Sequence, residues 1–196
     1  FTLASLIFFG LPADIANGTN RIGTTFQTIT AVSVFRKHEK GIFDWSKPYI
    51  IPSILGGVLG AWVATDIDKR AFDWVIGGIM LFLLVLILVN PKSKLKTQVE
   101  EATTKNKKPW VRFLVFTLVG FYGGFIQAGI GILLLVSLVA LEHFTMARAN
   151  VVKVILVFAF SIPVFLVFVY KQQVALVPGC LLAVGQVAGS LIAAKF

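Results

Sequence analysis

Charge is scarce in this chain, and negative charge scarcest. Only 14% of the 196 residues are charged, with nine Asp and Glu against eighteen Lys and Arg. A soluble chain of this length would scatter its charges along amphipathic elements. Here most of them gather in a few short stretches, and no acid falls deep inside an apolar run. A carboxylate relay for proton coupling is therefore missing from the expected spans. One cysteine, Cys180, excludes an intrachain disulfide, and its place in an apolar run predicts packing. The two histidines, His38 and His143, fall in expected loops without metal-ligand spacing. There is no H-E-x-x-H, no pair of intramembrane aspartates and no Ser–His arrangement on facing spans. Enzyme chemistry, metals and cofactors thus have no foothold. No signal peptide is visible. The chain starts inside one apolar stretch at Phe1 and stops inside another at Phe196, as an internal piece of a longer protein would.

What is present is apolar surface. Hydrophobic residues make up 57% of the chain and the mean hydropathy is +0.88. Long apolar runs alternate with polar connectors, the pattern of a polytopic all-α integral membrane protein in a lipid bilayer. The runs are too long for barrel strands and lack strict alternation. A net charge of +9 invites a nucleic-acid reading. The positive-inside rule accounts for it better, because the cations cluster in connectors. One connector, 90–112, holds Lys92, Lys94, Lys96, Lys105, Lys107, Lys108 and Arg112 against Glu100 and Glu101. Another, 36–47, holds Arg36, Lys37, Lys40 and Lys47 against Glu39 and Asp44. Both should be cytoplasmic in a multi-pass protein of the inner (plasma) membrane. Between them 65–73 carries Asp66, Asp68 and Asp73 against Lys69 and Arg70, as a far-side loop would. Trp45, Trp74 and Trp110 lie near span ends, where an aromatic belt belongs.

The chain divides at its polar linker. Residues 1–90 form a first transmembrane part and 112–196 a second, joined by the charged segment 91–111. After an apolar stub and a turn at 10–14, with Asp14 as helix N-cap, spans are expected over about 15–35, 48–65 and 71–89. In the second part, 112–141 runs for 30 residues with no charge after Arg112. A straight helix of that length reaches about 45 Å, against a hydrocarbon core of about 30 Å. The glycines at 120, 123, 124, 129 and 131 offer a break, centred on Gln127-Ala128-Gly129-Ile130-Gly131. The segment is then either an interrupted span or a hairpin. Spans follow over about 146–170 and 174–196.

Two of these helices open alike. One reads Ala16-Asn17-Gly18-Thr19-Asn20-Arg21, the other Ala149-Asn150-Val151-Val152-Lys153. Each sets an amide and then a cation three or four residues on, hence on one helix face. Asn17 and Asn150 are 133 residues apart, and Gly56-Gly57-Val58-Leu59-Gly60 resembles Gly185-Gln186-Val187-Ala188-Gly189. This is a weak internal repeat, as secondary transporters carry. The two halves are inverted if each glycine-broken segment is a hairpin, and parallel if each is one crossing. A cation inside a bilayer costs at least about 2.5–3.5 kcal/mol on insertion scales, so Arg21 and Lys153 should face a partner or a watery pocket. With no deep acid to neutralise them, the implied ligand is an anion. Asn17, Thr19, Asn20, Asn150 and Gln127 would line the same walls. A half-helix starting near Gly129 and Gly131 would aim backbone N–H groups inward. Gln27 and Gln186 are weaker candidates. The competing readings are snorkelling, a bond from the cation to a helix C-terminus, and glycines that only permit tight packing.

Residues Leu11-Pro12 with Ala16-Asn17-Gly18-Thr19-Asn20-Arg21, the segment 120–135 and the stretch 185–194 together resemble the TauE/SafE (sulfite exporter) family of bacterial membrane transporters. The resemblance implies two homologous halves, each with a Gly-rich motif, and export of sulfite or an organosulfonate such as sulfoacetate. The first Gly-rich motif would fall upstream of Phe1, and the second lacks a run of three glycines. The expected function is alternating-access export of a small sulfur oxyanion. Transport of another small anion and a non-transporting membrane scaffold stand as alternatives. Nucleic acid is not an expected partner, and a homo-oligomer is compatible with such a chain.

Overall fold

The computed structural model describes residues 2–38, 41–88 and 109–195. Among them every regular element is a helix: α1 (Thr2–Phe8), α2 (Ala13–His38), α3 (Ile42–Asp66), α4 (Lys69–Leu88), α5 (Pro109–Phe125), α6 (Ile130–Glu142), α7 (Met146–Tyr170) and α8 (Leu176–Lys195). A bilayer offers backbone groups no water, and helices satisfy them internally. By length and composition, Phe43–Asp66 and Met146–Tyr170 can each cross a membrane, while Pro109–Phe125, Ile130–Glu142 and Leu176–Ile192 are shorter apolar helices. Ile51, Leu55 and Leu59 on α3, Leu118 on α5, Leu166 on α7 and Leu181 on α8 all point outward. Soluble proteins seldom expose apolar surface on that scale. Cys180 is exposed rather than packed. The basic connector over 91–111 falls almost wholly outside the described residues.

Two boundaries differ from the sequence reading. Pro48 was expected to open a helix, yet α3 begins at Ile42 and runs through both Pro48 and Pro52. Each proline removes one ladder bond, and the packing of α3 on α5 and α7 keeps the helix continuous. Asp14 was expected as an N-cap. Instead α2 begins at Ala13, so Asp14 sits in the first turn, buried, 3.5 Å from Lys69 Nζ.

Side-chain contacts fix which helix ends lie together. At one end the Arg148 guanidinium lies 4.3 Å over the Trp45 ring. The Tyr49 ring packs at a tilt on Phe116 and edge-on to Phe144 there. The starts of α3, α5 and α7 therefore share this end. At the other end Lys171 pairs with Asp66 at 2.5 Å, Gln173 donates to the Thr65 carbonyl, and the Thr19 hydroxyl accepts from the Ala175 N–H at 2.9 Å. The start of α2, the ends of α3 and α7 and the start of α8 share that one. Helices α2 and α7 consequently run in opposite directions. They pack on each other, α2 also packs on α8, and α3 on α7.

Helices α5 and α6 return on themselves. Arg112 near the start of α5 pairs with Glu142 at the end of α6 at 3.0 Å, and that carboxylate side chain is only 4% exposed. The turn at 126–129 is the tip of the hairpin, set deep in the bundle. Lipid tails are as apolar as any core, so helices associate in a bilayer through close packing and hydrogen bonds. Here glycines supply the closeness. A methyl group at Gly56, Gly60 or Gly124 would overlap the carbonyl oxygen of Thr117, Phe121 or Gly57 respectively, so α3 and α5 touch backbone to backbone. Leu134 and Leu138 of α6 and Val152, Leu156, Phe160, Val164 and Phe168 of α7 form the buried centre.

Candidate functional site

The hairpin tip is held by α2. The last carbonyls of any helix lack intrahelical partners, and in α5 these belong to Gly123, Gly124 and Phe125. Arg21 answers two of them. Its Nη1 donates to Gly123 O and its Nη2 to Gly124 O, each at 2.7 Å. Asn17, one turn earlier, donates from Nδ2 to Phe125 O at 2.8 Å. The guanidinium is wholly buried and lies 5.2 Å from the Phe168 ring centre. A cation at a helix C-terminus also meets the negative end of its dipole. Two side chains on one face of α2 therefore cap α5 from across the bundle.

Beside this clamp lies a cavity of about 550 Å³. Its walls come from α1, α2, the hairpin tip, α7 and α8. Of the residues expected at a site, Asn20, Gln127, Gly129, Gly131 and Lys153 line it. Asn17, Thr19, Arg21 and Asn150 do not. Thr19 binds the start of α8, and Asn150 Oδ1 accepts from Lys153 Nζ at 2.5 Å. Lys153 is half-buried, its stem against Gly131 at the start of α6. No carboxylate lines the cavity, and no described residue forms an ion pair with Lys153 or Arg21. The cation among the cavity's lining residues is thus Lys153, with its ammonium held on Asn150 Oδ1.

The tip itself holds unusual backbone and a buried polar side chain. Gln127 and Gly129 both take left-handed backbone, at φ 65 and 72. That conformation costs a non-glycine residue about 1–3 kcal/mol, and such residues concentrate at functional sites. Gly129 caps α6 with no side-chain hydrogen bond to its first turn, the Ile130 and Ile132 N–H groups donate to the Gln127 and Gly129 carbonyls, and this positive end of α6 lies on the cavity wall through Gly129, Ile130 and Gly131. Gln127 is 7% exposed, and neither of its amide atoms has a partner among the described residues. Gln186 lies against Gly23, its Oε1 buried and without a partner. Gln27 also lines the cavity.

Thr2, Thr24 and Thr28 complete the polar wall, and nothing in the sequence reading singled them out. A signal existed. Asn20, Thr24, Gln27, Thr28 and Ala31 follow the 4, 7, 8, 11 spacing of one helix face, and all five line the cavity. The Thr24 and Thr28 hydroxyls donate to the carbonyls of Asn20 and Thr24 at 3.1 and 2.9 Å. Thr2 donates to Asn20 Oδ1 at 2.7 Å.

Comparison with known proteins fits this architecture. No solved structure matches the chain. A probable membrane transporter protein of Haemophilus influenzae is 25% identical over 198 residues, covering 99% of this chain and 74% of its own. A probable membrane transporter protein of a Sinorhizobium species is 25% identical over 197 residues, covering 100% and 73%. The sulfite exporter TauE/SafE family model matches residues 1–196. The chain therefore belongs to the sulfite exporter TauE/SafE family of membrane transporters.

Proposed function

We propose that the protein exports a small sulfur-containing oxyanion, sulfite or a short organosulfonate, through the plasma membrane by alternating access. The observation that carries this reading is the cavity at the hairpin tip, with Lys153 on its wall and no carboxylate among its lining residues. The Lys153 ammonium balances the charge of the cargo. Asn20, Gln127 and the start of α6 at Gly129 and Gly131 replace its hydration shell. Asn17, Arg21, Thr19 and Asn150 act from behind, by fixing the elements that carry those groups. The cytoplasmic end is the one where α3 and α5 begin, which puts 36–47 and 91–111 inside. A cytoplasm-negative potential then drives anions outward without a proton relay.

The two halves rock against each other as glycine-broken, inverted repeats. The opposite directions of α2 and α7 support inversion. The crossed packing of α2 on α8 and α3 on α7 supports it too, since a two-fold relation would exchange those pairs. The test is flux through the full-length protein in liposomes, with sulfite, sulfate, thiosulfate, sulfoacetate and acetate as cargo. Lys153→Gln removes a charge-assisted hydrogen bond of about 1.5–3 kcal/mol and should weaken apparent affinity about 10- to 150-fold. Transport of a cation, or anion flux indifferent to Lys153→Gln, refutes the reading.

A further inference from the structure

The cavity carries more than the positive charge an anion requires. A fully deprotonated oxyanion only accepts hydrogen bonds, so donors alone would suffice for it. Donors are present in the Lys153 ammonium and the amide nitrogens of Asn20, Gln127 and Gln186. Yet residues that wall the same space also carry unanswered acceptors. Gln127 presents both halves of its carboxamide without a partner while 93% buried, and Gln186 Oε1 is likewise buried and unanswered. Exchanging N and O of either amide leaves one donor and one acceptor in place, so the balance does not depend on how they were assigned. The Thr24 and Thr28 hydroxyl hydrogens are taken by their own helix, which leaves the oxygens of these two lining residues able to accept but not to donate. A buried acceptor left without a donor is costly.

Resting on the sulfur-oxyanion reading of this cavity, the geometry points to a cargo that is an anion bearing its own hydrogen-bond donor, an O–H or N–H group near the charged end. The charged oxygens accept from Lys153 and from the amide nitrogens. The hydroxyl or amine donates to Gln127 Oε1 or Gln186 Oε1. Leu3, Ile130, Val154 and Val157 supply an apolar wall for a short carbon body. Hydroxysulfonates fit this description, as does singly protonated sulfite. Sulfate and unsubstituted alkanesulfonates do not.

Two probes of equal charge and carbon skeleton decide it: 2-hydroxyethanesulfonate and ethanesulfonate, titrated calorimetrically onto the full-length protein in nanodiscs. The hydroxylated anion should bind at least about tenfold tighter, the worth of one satisfied hydrogen bond. Gln186→Leu, on a helix that leucine suits, should shrink that ratio, and Gln127→Asn, which tolerates left-handed backbone, should change it. Equal affinity of the two sulfonates for the unaltered protein overturns the inference and leaves the sulfur-oxyanion reading standing. So does a ratio that neither substitution moves. Should neither sulfonate bind, the sulfur reading falls, and lactate against propionate puts the same question to a carboxylate site. A tenfold preference for lactate upholds the donor requirement there, and equal binding or none overturns it.

Discussion

Replacing Arg21 separates a brace from a ligand. Its two terminal nitrogens each hold an α5 carbonyl at 2.7 Å, and hydrogen bonds to a charged group contribute about 1.5–3 kcal/mol apiece. Against that gross gain of about 3–6 kcal/mol stands the desolvation of the guanidinium, several kcal/mol in an interior. Arg21→Met recovers the desolvation but strands two buried carbonyls, at about 1–3 kcal/mol each. The net expectation is a loss of about 2–6 kcal/mol. For a chain of this size that lowers Tm by about 4–24 °C. Arg21→Lys keeps the charge but reaches one carbonyl rather than two, and should lose about half as much. The assay is thermal unfolding of the full-length protein followed by tryptophan fluorescence, with anion affinity measured on the same samples. Destabilisation in both variants, with affinity in Arg21→Lys nearly unchanged, is the expected pattern. An unchanged Tm beside a collapse in affinity would show that the guanidinium meets the cargo and that the capping account is mistaken.

Two further outcomes follow from the packing. Gly124→Ala forces a methyl into the Gly57 carbonyl and should destabilise by about 1–3 kcal/mol or more, whereas Gly131→Ala meets only the Lys153 stem at 3.7 Å and should leave Tm within a few degrees while altering anion affinity. Equal thermal effects would mean that α3 and α5 are not in backbone contact. At the end where α2 and α8 start, Asp66→Asn breaks an ion pair whose carboxylate is 57% exposed and should cost under about 1 kcal/mol. Gly18→Ala, which pushes a methyl onto the Gln173 carbonyl, should lower Tm by far more, and the reverse order in calorimetry would refute that ranking.

Local signals carried much of the architecture. The span expected at 146–170 coincides with α7, because Thr145 accepts from the Arg148 N–H to start it and Lys171 ends its apolar run. The segment at 112–141 declared that it must break, since no straight helix of that length fits a bilayer. Whether it crossed or returned was settled by Arg112 and Glu142, residues with no local reason to meet. The face shared by Asn17 and Arg21 was legible from a four-residue spacing. What that face touches lay more than a hundred residues downstream, where helix periodicity says nothing. Pro48 misled for the opposite reason: its local preference for a helix start yields to the packing of α3 against two neighbours. The threonines on the cavity wall were passed over because hydroxyls inside apolar runs so often bond only to their own backbone.

The capping of α5 by α2 also bears on how the protein is made. Arg21 and the carbonyls it holds are 102 and 103 residues apart. A ribosome adding about 5–20 residues per second needs roughly 5–20 s to cover that interval. Through that wait the nascent α2 carries a bare guanidinium with no hairpin to receive it. Inserting that charge alone costs about 2.5–3.5 kcal/mol on insertion scales, a cost relieved only when the later helices emerge. The groups that satisfy this arginine are thus made only with the second half of its own chain.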